Sequence, residues 1–261
     1  VYICDKNEEA LIAIKEIFDG KFGVANNLLI EEFLKGEEMS YFIITDGKTI
    51  KRFDTAQDHK RVLEGDKGKN TGEMGAYSPS RLINTELDKK IIAKIIEPTI
   101  KGLKEIGISY KGFLYAGLMI VDNEPYLIEY NVRMGDPETE AVLPRIQNDF
   151  VEIFQSFKDK TLNKIDLKID NRSAATVVLV SGGYPSNYNK GIKITGIDHV
   201  VDSTVYHAGA IQKEGGVYTN GGRVLAITSF GNNFQEALDI SYKSASKINF
   251  DRMYYRKDLG F

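Results

Sequence analysis

The spacing of apolar side chains near the start of the chain predicts one short helix. Apolar positions recur at helical intervals between Ala10 and Phe18, after Asn7 and two acidic residues and before Gly20. Asn is a preferred N-cap and Gly a common stop, so this segment is expected to be an amphipathic helix ended at Gly20.

Two strand-like runs follow. They are LLIEEFL at 28–34 and MSYFIIT at 39–45, and the second ends at the turn Asp46-Gly47. An Asp-Gly turn between apolar runs favours a β-hairpin, so TIKRF is expected to return as the partner strand. Residues 1–55 are therefore predicted to form a small α+β lobe.

The segment AQDHKRVLEGDKGKNTGEMGAYSP has little periodicity and contains glycines at 65, 68, 72 and 75. It is predicted to be a long loop, and loops of this length are usually functional or mobile. A helix from about Thr85 to Leu103 follows, with a kink or break expected at Pro98 because proline lacks the backbone N–H.

Two apolar strands, GFLYAGLMIV and PYLIEYNV, flank the turn Asp122-Asn123 and are predicted to pair as a hairpin. A helix is expected from Glu138 to about Phe157. A polar stretch near 163–171 indicates a boundary, and the remaining residues contain the strands AATVVLV and GGRVLAIT and a final helix near 233–248.

Composition excludes several classes of function. The chain has 261 residues, 42% hydrophobic content and a formal net charge of -3, so no basic surface is expected for nucleic acid or anionic lipid. Cys4 is the single cysteine, no apolar run approaches the roughly 18 residues that span a bilayer, and no signal peptide is visible. The expectation is a soluble cytoplasmic protein with neither a nucleic-acid nor a membrane partner.

The stretch IEYNVRMGDPETE at 128–140 carries candidate metal ligands. Side chains alternate along a strand, so Glu129 and Asn131 share one face and offer it a carboxylate and an amide oxygen. Such donors suit a hard cation such as Mg²⁺, which keeps waters for substrate phosphates. A solvated strand face explains such a pair at least as often, so spacing alone leaves both readings open.

The glycine-rich segment is a candidate phosphate site. Residues 65–77 expose backbone N–H groups without bulky side chains, and Asp58-His59-Lys60-Arg61 places cationic donors just before them. No Walker A or GxGxxG motif is present, and a flexible, solvated surface is the alternative reading. The sequence contains no constellation for a nucleophile or a zinc ion.

Several motifs in order resemble one family, the phosphoribosylamine–glycine ligases, also called glycinamide ribonucleotide synthetases. The motifs are LIEEFLKGEE at 29–38, QDHKR at 57–61, NTGEMGAYSP at 70–79, GFLYAGLM at 112–119, IEYNVRMGDPETE at 128–140 and TNGGRVL at 219–225. The resemblance covers essentially the whole chain, and the motifs are specific jointly rather than singly.

The resemblance implies an α+β ATP-grasp fold, in which two lobes hold ATP, followed by a small C-terminal α/β domain. The expected divisions are a partial lid lobe at 1–55, a metal and substrate lobe at 56–168 and the C-terminal domain at 169–261. Val1 aligns just after the family's Gly-Lys-Gly turn, so the family's N-terminal domain and an upstream nucleotide-binding lysine are expected to lie outside this chain. That missing segment of the same enzyme is an expected partner, and the assembly is expected to be a monomer or homodimer.

Site residues are carried over from the family motifs by position. Glu129 and Asn131 match metal ligands for Mg²⁺ or Mn²⁺, while Arg133 and Asp136 lie where the family approaches the triphosphate and glycine, with Asp136 pairing the glycine ammonium. The residues expected at the adenine and ribose of ATP are Glu31, Glu32, Phe33, Leu34 and Glu37. The residues expected to bind phosphates and phosphoribosylamine are Asp58, Lys60, Arg61, Asn70, Thr71, Gly72 and Gly75.

The implied reaction joins glycine to 5-phosphoribosylamine as ATP becomes ADP and phosphate, through glycyl phosphate, in purine synthesis. Such transfers depend on positioning and charge neutralisation. The chain departs from the pattern in two ways. The run FLYAGLMI lacks a further acidic ligand, and Glu73 puts a negative charge into TGEMG, where the family has TGGMG. The alternatives are another ATP-grasp carboxylate–amine ligase and a noncatalytic nucleotide-binding module.

Overall fold

The computed structural model describes residues 2–260, and the chain divides into two compact units, residues 1–36 and 37–261. In the first unit, helix α1 (Asn7–Phe18) begins after Lys6, whose extended backbone makes it the N-cap in place of the expected Asn7. Glu8 and Glu9 lie in its first turn, where negative charge is favourable next to the positive end of the helix dipole.

The strand predicted at 28–34 is wrong. These residues have no regular structure, and no described residue between 2 and 260 pairs with them in a ladder. Leu29, Ile30 and Phe33 are 75%, 77% and 60% exposed. A strand needs a neighbour to satisfy its backbone groups, so an apolar pattern alone does not produce one here.

The second unit is built on antiparallel β-structure. Its strands, in chain order, are β1 (Glu37–Thr45), β2 (Ile50–Asp58), β3 (Arg61–Leu63), β4 (Lys67–Asn70), β5 (Gly75–Ser78), β6 (Gly112–Val121), β7 (Glu124–Asn131), β8 (Ser173–Val180), β9 (Lys193–Ile194), β10 (Thr204–His207), β11 (Ala210–Lys213), β12 (Gly216–Thr219) and β13 (Arg223–Gly231). Within residues 2–260, an eight-stranded sheet has the order β10-β13-β8-β5-β2-β1-β6-β7, beside a three-stranded sheet β11-β12-β9 and a β3-β4 hairpin.

The predicted hairpins are confirmed. Strand β1 pairs with β2 through the turn at Asp46-Gly47, and β6 pairs with β7 around Asp122-Asn123, where both residues have positive φ. Positive φ at both central residues is the geometry of a type I′ turn, which matches the twist of the flanking strands.

The long loop predicted across 56–79 is wrong, because β2, β3, β4 and β5 occupy most of it. Strand β5 lies between β2 and β8 with all four residues buried, so it shows no alternation of apolar and polar positions. At Gly75 a Cβ would lie 2.5 Å from both Leu259 Cδ1 and Thr176 O. Glycine is required at this position by packing within the sheet.

The helices of the second unit depart from the predicted continuous segments at their prolines. Helix α2 (Thr85–Ile91), capped by the Asn84 side chain, leads into a π-helical turn (Ile92–Ile96) and then α3 (Glu97–Glu105), with Pro98 in the first turn of α3. Proline removes one backbone hydrogen bond from a helix, and the pattern changes to a π-helical turn immediately before α3.

The single helix expected over 138–157 is wrong. It consists of α4 (Glu138–Val142), a 3₁₀ turn (Leu143–Arg145) that contains a proline, and α5 (Phe150–Asp159) with its own N-cap, Asp149. The final helix is α6 (Phe234–Ala245), capped by Asn233 as its position predicts.

Both faces of the large sheet are covered. Met39, Tyr41 and Ile43 of β1 belong to a core cluster with α2, the π-helical turn and α3, whereas Phe42 and Ile44 pack with α4 and α5 on the opposite face. This is the period of two that a buried strand requires. None of the helices within residues 2–260 is long and apolar enough to cross a membrane.

Candidate functional site

A small polar pocket opens on the large sheet where β1, β2, β6 and β7 lie side by side. Its lining combines carboxylates, one ammonium group, two hydroxyls and a few apolar side chains. The lining residues are Glu38, Met39, Ser40, Asp58, Lys60, Tyr115, Gly117, Leu118, Ile128 and Glu129.

Glu129 and Asn131 lie near the end of β7, at the edge of the sheet. Asn131 Nδ2 donates a hydrogen bond to Glu129 Oε1 over 3.3 Å, so the two side chains face each other on one side of the strand. Opposite Glu129 on β6 is Gly117, where a Cβ would lie 3.4 Å from Glu129 Cγ, so glycine leaves room for the carboxylate. A carboxylate and an amide side by side fit an oxygen-coordinated cation once the amide presents its oxygen.

Lys60 supplies the positive charge of the pocket. Its ammonium pairs with Glu38 and lies 3.9 Å from Asp58 Oδ2, and its side chain is 41% exposed. A lysine with this exposure can exchange a carboxylate partner for a phosphate group at small electrostatic cost.

Three carboxylates, Asp58, Glu73 and Glu138, meet beside this pocket, with one oxygen from each within 4.8 Å of the others. Burial raises the pKa of Asp58 and of Glu73 above their ordinary values. The Glu138 carboxylate raises the pKa of Asp58 further, and both Asp58 and Glu138 raise the pKa of Glu73 further. Glu73 therefore points towards other acids and away from solvent.

The turn before β5 is fixed by its own hydrogen bonds. Thr71 Oγ1 donates to Lys60 O and accepts from Glu73 N, each over 2.8 Å, and Gly72 N donates to Tyr184 Oη over 2.8 Å. These contacts hold the backbone around Glu73 in place.

Three of the residues assigned to phosphate lie in structural positions. Asn70 is exposed at the end of β4, opposite Arg61, whose guanidinium donates to Gly68 O over 2.8 Å. Gly75 is buried within the large sheet. None of these three lines the pocket described above.

Arg223, which the sequence analysis did not single out, joins the Gly-rich turn to the segment after β7. Its guanidinium donates to Gly72 O and, over 2.6 Å, to Asp136 O, and it lies 3.2 Å from Asp136 Oδ1. The Asp136 side chain remains 59% exposed, and the exposed Arg133 donates to Met134 O over 3.0 Å. The signal for Arg223 was the TNGGRVL motif, but the contact spans 151 positions to Gly72 and has no local pattern.

The residues assigned to the adenine lie in the first unit, and the residue assigned to the ribose lies in the second. Glu31, Glu32, Phe33 and Leu34 lie in the irregular end of the first unit, where Leu34 is half-buried and the other three are exposed. Glu37 begins β1 in the second unit and forms an ion pair with Arg81.

Comparison with known proteins gives the family. The sequence profile of the phosphoribosylglycinamide synthetase ATP-grasp (A) domain matches residues 1–139, and that of the C domain of the same synthetase matches residues 174–261. The chain belongs to the phosphoribosylglycinamide synthetase family. The resemblance and the ATP-grasp fold that the sequence predicts are thereby confirmed.

Individual members of this family are similar over nearly the whole chain. A phosphoribosylamine–glycine ligase of Vibrio vulnificus is 45% identical over 97% of this chain and 60% of its own length. The crystal structure of the corresponding ligase of Thermotoga maritima superposes with a TM-score of 0.89 at 34% identity, over 99% of this chain and 65% of that one. The chain thus spans about 60% of the length of the curated relatives it matches.

The fold extends beyond the family. The biotin carboxylase domain of a Hydrogenobacter thermophilus 2-oxoglutarate carboxylase, solved with MgADP and bicarbonate, superposes with a TM-score of 0.67 at 14% identity over 97% of this chain and 55% of that one. At this identity the likeness shows the ATP-grasp fold alone.

Proposed function

We propose that this chain forms the ATP- and metal-binding part of an enzyme that ligates glycine to 5-phosphoribosylamine. The products are glycinamide ribonucleotide, ADP and phosphate, in de novo purine synthesis. Membership of the phosphoribosylglycinamide synthetase family supports the reaction. The feature of this chain that carries the proposal is the adjacent Glu129–Asn131 pair, whose Glu129 lines a pocket together with Lys60.

Glu129 and Asn131 would hold Mg²⁺ or Mn²⁺ through oxygen atoms. A bound cation would neutralise charge on the phosphates of ATP, which is the chemistry that such ions supply in phosphoryl transfer. Lys60, 41% exposed, would neutralise a further phosphate oxygen. For the adenine we propose residues 31–34, and for the ribose hydroxyls Glu37, as the family motif suggests.

The acceptor side of the reaction is assigned by position. Arg133 is exposed and would bind the transferred phosphate, while Asp136 would pair with the glycine ammonium next to Arg223. Asp58, Arg61, Asn70, Thr71, Gly72 and Gly75 are proposed to bind or shape the phosphate and phosphoribosylamine subsite.

In the first chemical step the glycine carboxylate oxygen attacks the γ-phosphorus and ADP departs. In the second, the ribosylamine nitrogen attacks the resulting acyl phosphate and releases phosphate. Neither step needs a protein nucleophile, so orientation and charge supply the catalysis. The preceding segment of the enzyme is proposed as a partner of this chain, which we place in the cytoplasm as part of a monomer or homodimer.

The test is glycine-dependent ADP release by the chain, measured with and without the N-terminal segment of the enzyme supplied in trans. Glu129→Gln is expected to lower metal-dependent ADP formation by at least about a hundredfold, the scale of a lost transition-state charge interaction. Glu124→Gln is the matched control: Glu124 lies on the same strand but pairs with Lys90 and Lys94. It should leave turnover unchanged.

Two outcomes would reject parts of this proposal. Near-normal turnover in Glu129→Gln would refute the metal site. ATP binding without glycine-dependent ADP release, even when the N-terminal segment is supplied, would favour a noncatalytic nucleotide-binding module.

A further inference from the structure

Three elements that are distant along the chain bring carboxylates to one point. Asp58 ends β2, Glu73 lies in the turn before β5, and Glu138 begins α4. One oxygen from each lies within 4.8 Å of the other two. Carboxylates repel one another at such separations unless protons or a cation lie between them.

Two of these side chains are deeply buried and have oxygen atoms that lack partners. Glu138 is 1% exposed, and its Oε1 accepts from Ser40 Oγ over 3.1 Å. Its Oε2, together with Asp58 Oδ2 and Glu73 Oε2, has no hydrogen-bond partner among residues 2–260. The Asp58 side chain is 3% exposed, and the Lys60 ammonium, which lies 3.9 Å from Asp58 Oδ2, pairs with Glu38. Buried carboxylate oxygens without donors are costly, so a ligand between them would be strongly favoured.

The backbone holds these carboxylates in place. At Gly135 a Cβ would lie 2.2 Å from Glu138 Oε2, so the Gly135 backbone packs directly against that carboxylate. Glu73 adopts φ +80°, a left-handed conformation that is strained for a residue other than glycine, and Thr71 Oγ1 accepts from its N–H. Strain of this kind persists when the surroundings fix the residue, and it often marks a functional position.

We propose that Asp58, Glu73 and Glu138 form a divalent cation site that the chain fills without nucleotide. Oxygen-only, carboxylate-rich donors select hard ions, namely Mg²⁺, Ca²⁺ or Mn²⁺. The site uses neither Glu129 nor Asn131. It shares Asp58 with the phosphate and phosphoribosylamine subsite proposed above, but ion binding without nucleotide is measured independently of turnover.

Glu73 is the residue that distinguishes this site, because it adds the third carboxylate to the cluster. Its neighbours Gly72 and Met74 bring no ligand oxygen from their side chains. A cation here would join β2, the turn before β5 and α4, and of its three ligands Asp58 lines the pocket containing Lys60. It would therefore fix the Asp58 side chain in the lining of that pocket.

The experiment is a titration of the chain with Mn²⁺ in the absence of nucleotide, with bound ion measured by electron paramagnetic resonance. The wild type is expected to bind one Mn²⁺ that Mg²⁺ or Ca²⁺ displaces, and to melt at a higher temperature when the ion is present. Glu73→Gln, which keeps the shape and removes the charge, should weaken this binding at least tenfold. Glu73→Gly should do the same, and glycine adopts the φ of this position without strain.

Glu129→Gln is the control, and it should retain the nucleotide-free Mn²⁺ site while losing metal-dependent ADP release. Circular dichroism of each variant checks that the fold is kept. The proposal is overturned if the wild type binds no Mn²⁺ without nucleotide, or if Glu73→Gln binds it as tightly as the wild type. It is also overturned if Glu129→Gln alone loses the ion. A further contrary result would be that glycine, and not Mn²⁺, raises the melting temperature of the wild type but not of Glu73→Gln, because the cluster would then bind an ammonium group.

Discussion

Removal of the Arg145 side chain is expected to destabilise the second unit strongly. It is 4% exposed, and its guanidinium donates to Asp54 Oδ2 over 2.5 Å and to Ser78 Oγ over 2.8 Å. It also donates to Arg172 O over 2.8 Å and to Asp170 O over 3.0 Å. Arg145 therefore joins β2 and β5 to the segment that leads into β8.

The expected loss of stability follows from the buried polar groups that Arg145→Met would leave without a partner. Asp54 is 4% exposed, and its carboxylate would lose the guanidinium while two backbone carbonyls lost their donors. Breaking a buried ion pair from one side costs about 3–5 kcal/mol. For a protein of this size each kcal/mol lowers Tm by about 2–4 °C, so the variant should melt about 6–20 °C lower.

Differential scanning calorimetry of three variants would test this reasoning. Arg145→Met combined with Asp54→Asn should recover part of the loss, because no unpaired buried charge remains. Lys101→Met is the control: Lys101 lies 3.8 Å from Glu105 with both side chains exposed, and its Tm should stay within about 1 °C of the wild type. If Arg145→Met also melts within about 2 °C of the wild type, the buried pair does not carry the proposed stability.

Two further predictions concern Arg223 and His59. Arg223→Lys cannot bridge Gly72 O and Asp136 O together, so ADP release should fall about tenfold with little change in Tm; a loss of Tm without loss of turnover would assign Arg223 a structural role only. Burial lowers the pKa of His59 to about 4, and its neutral Nε2 accepts from Gly260 N over 3.0 Å. In the unfolded chain His59 takes up a proton as the pH falls below about 6.5, whereas in the folded chain it stays neutral down to about pH 4. The free energy of unfolding is therefore highest above pH 6.5 and decreases by roughly 3 kcal/mol as the pH falls towards 4. In urea titrations at pH 4.5 and 7, His59→Gln should show a smaller pH dependence than the wild type, and an equal dependence would contradict this assignment.

The local sequence pattern was sufficient to predict an element where that element's own residues determine it. The β6–β7 hairpin carries its turn signal and its apolar runs together, and Asn233 and the apolar spacing after it define α6. The shared face of Glu129 and Asn131 followed from strand alternation alone.

Pattern failed where distant residues decide the structure. Strand β5 exists because β2 and β8 lie on either side of it, and its buried residues show no period. The meeting of Asp58, Glu73 and Glu138 depends on the registers of several elements at once, so no spacing along the sequence indicates it. The strand predicted at 28–34 was wrong for the opposite reason: the local pattern is strand-like, but no described residue pairs with it.

The hydrogen bonds between β5 and β8 have a consequence for how the polypeptide can be divided. They run from Gly75–Ser78 to Ala174–Val177 and cross from the region of the A-domain profile to that of the C-domain profile. Proteolytic nicking between these regions, near 160–172, would leave both pieces attached through the ladder. A recombinant product ending at 168 would instead expose the unpaired edge of β5 and would be prone to aggregate.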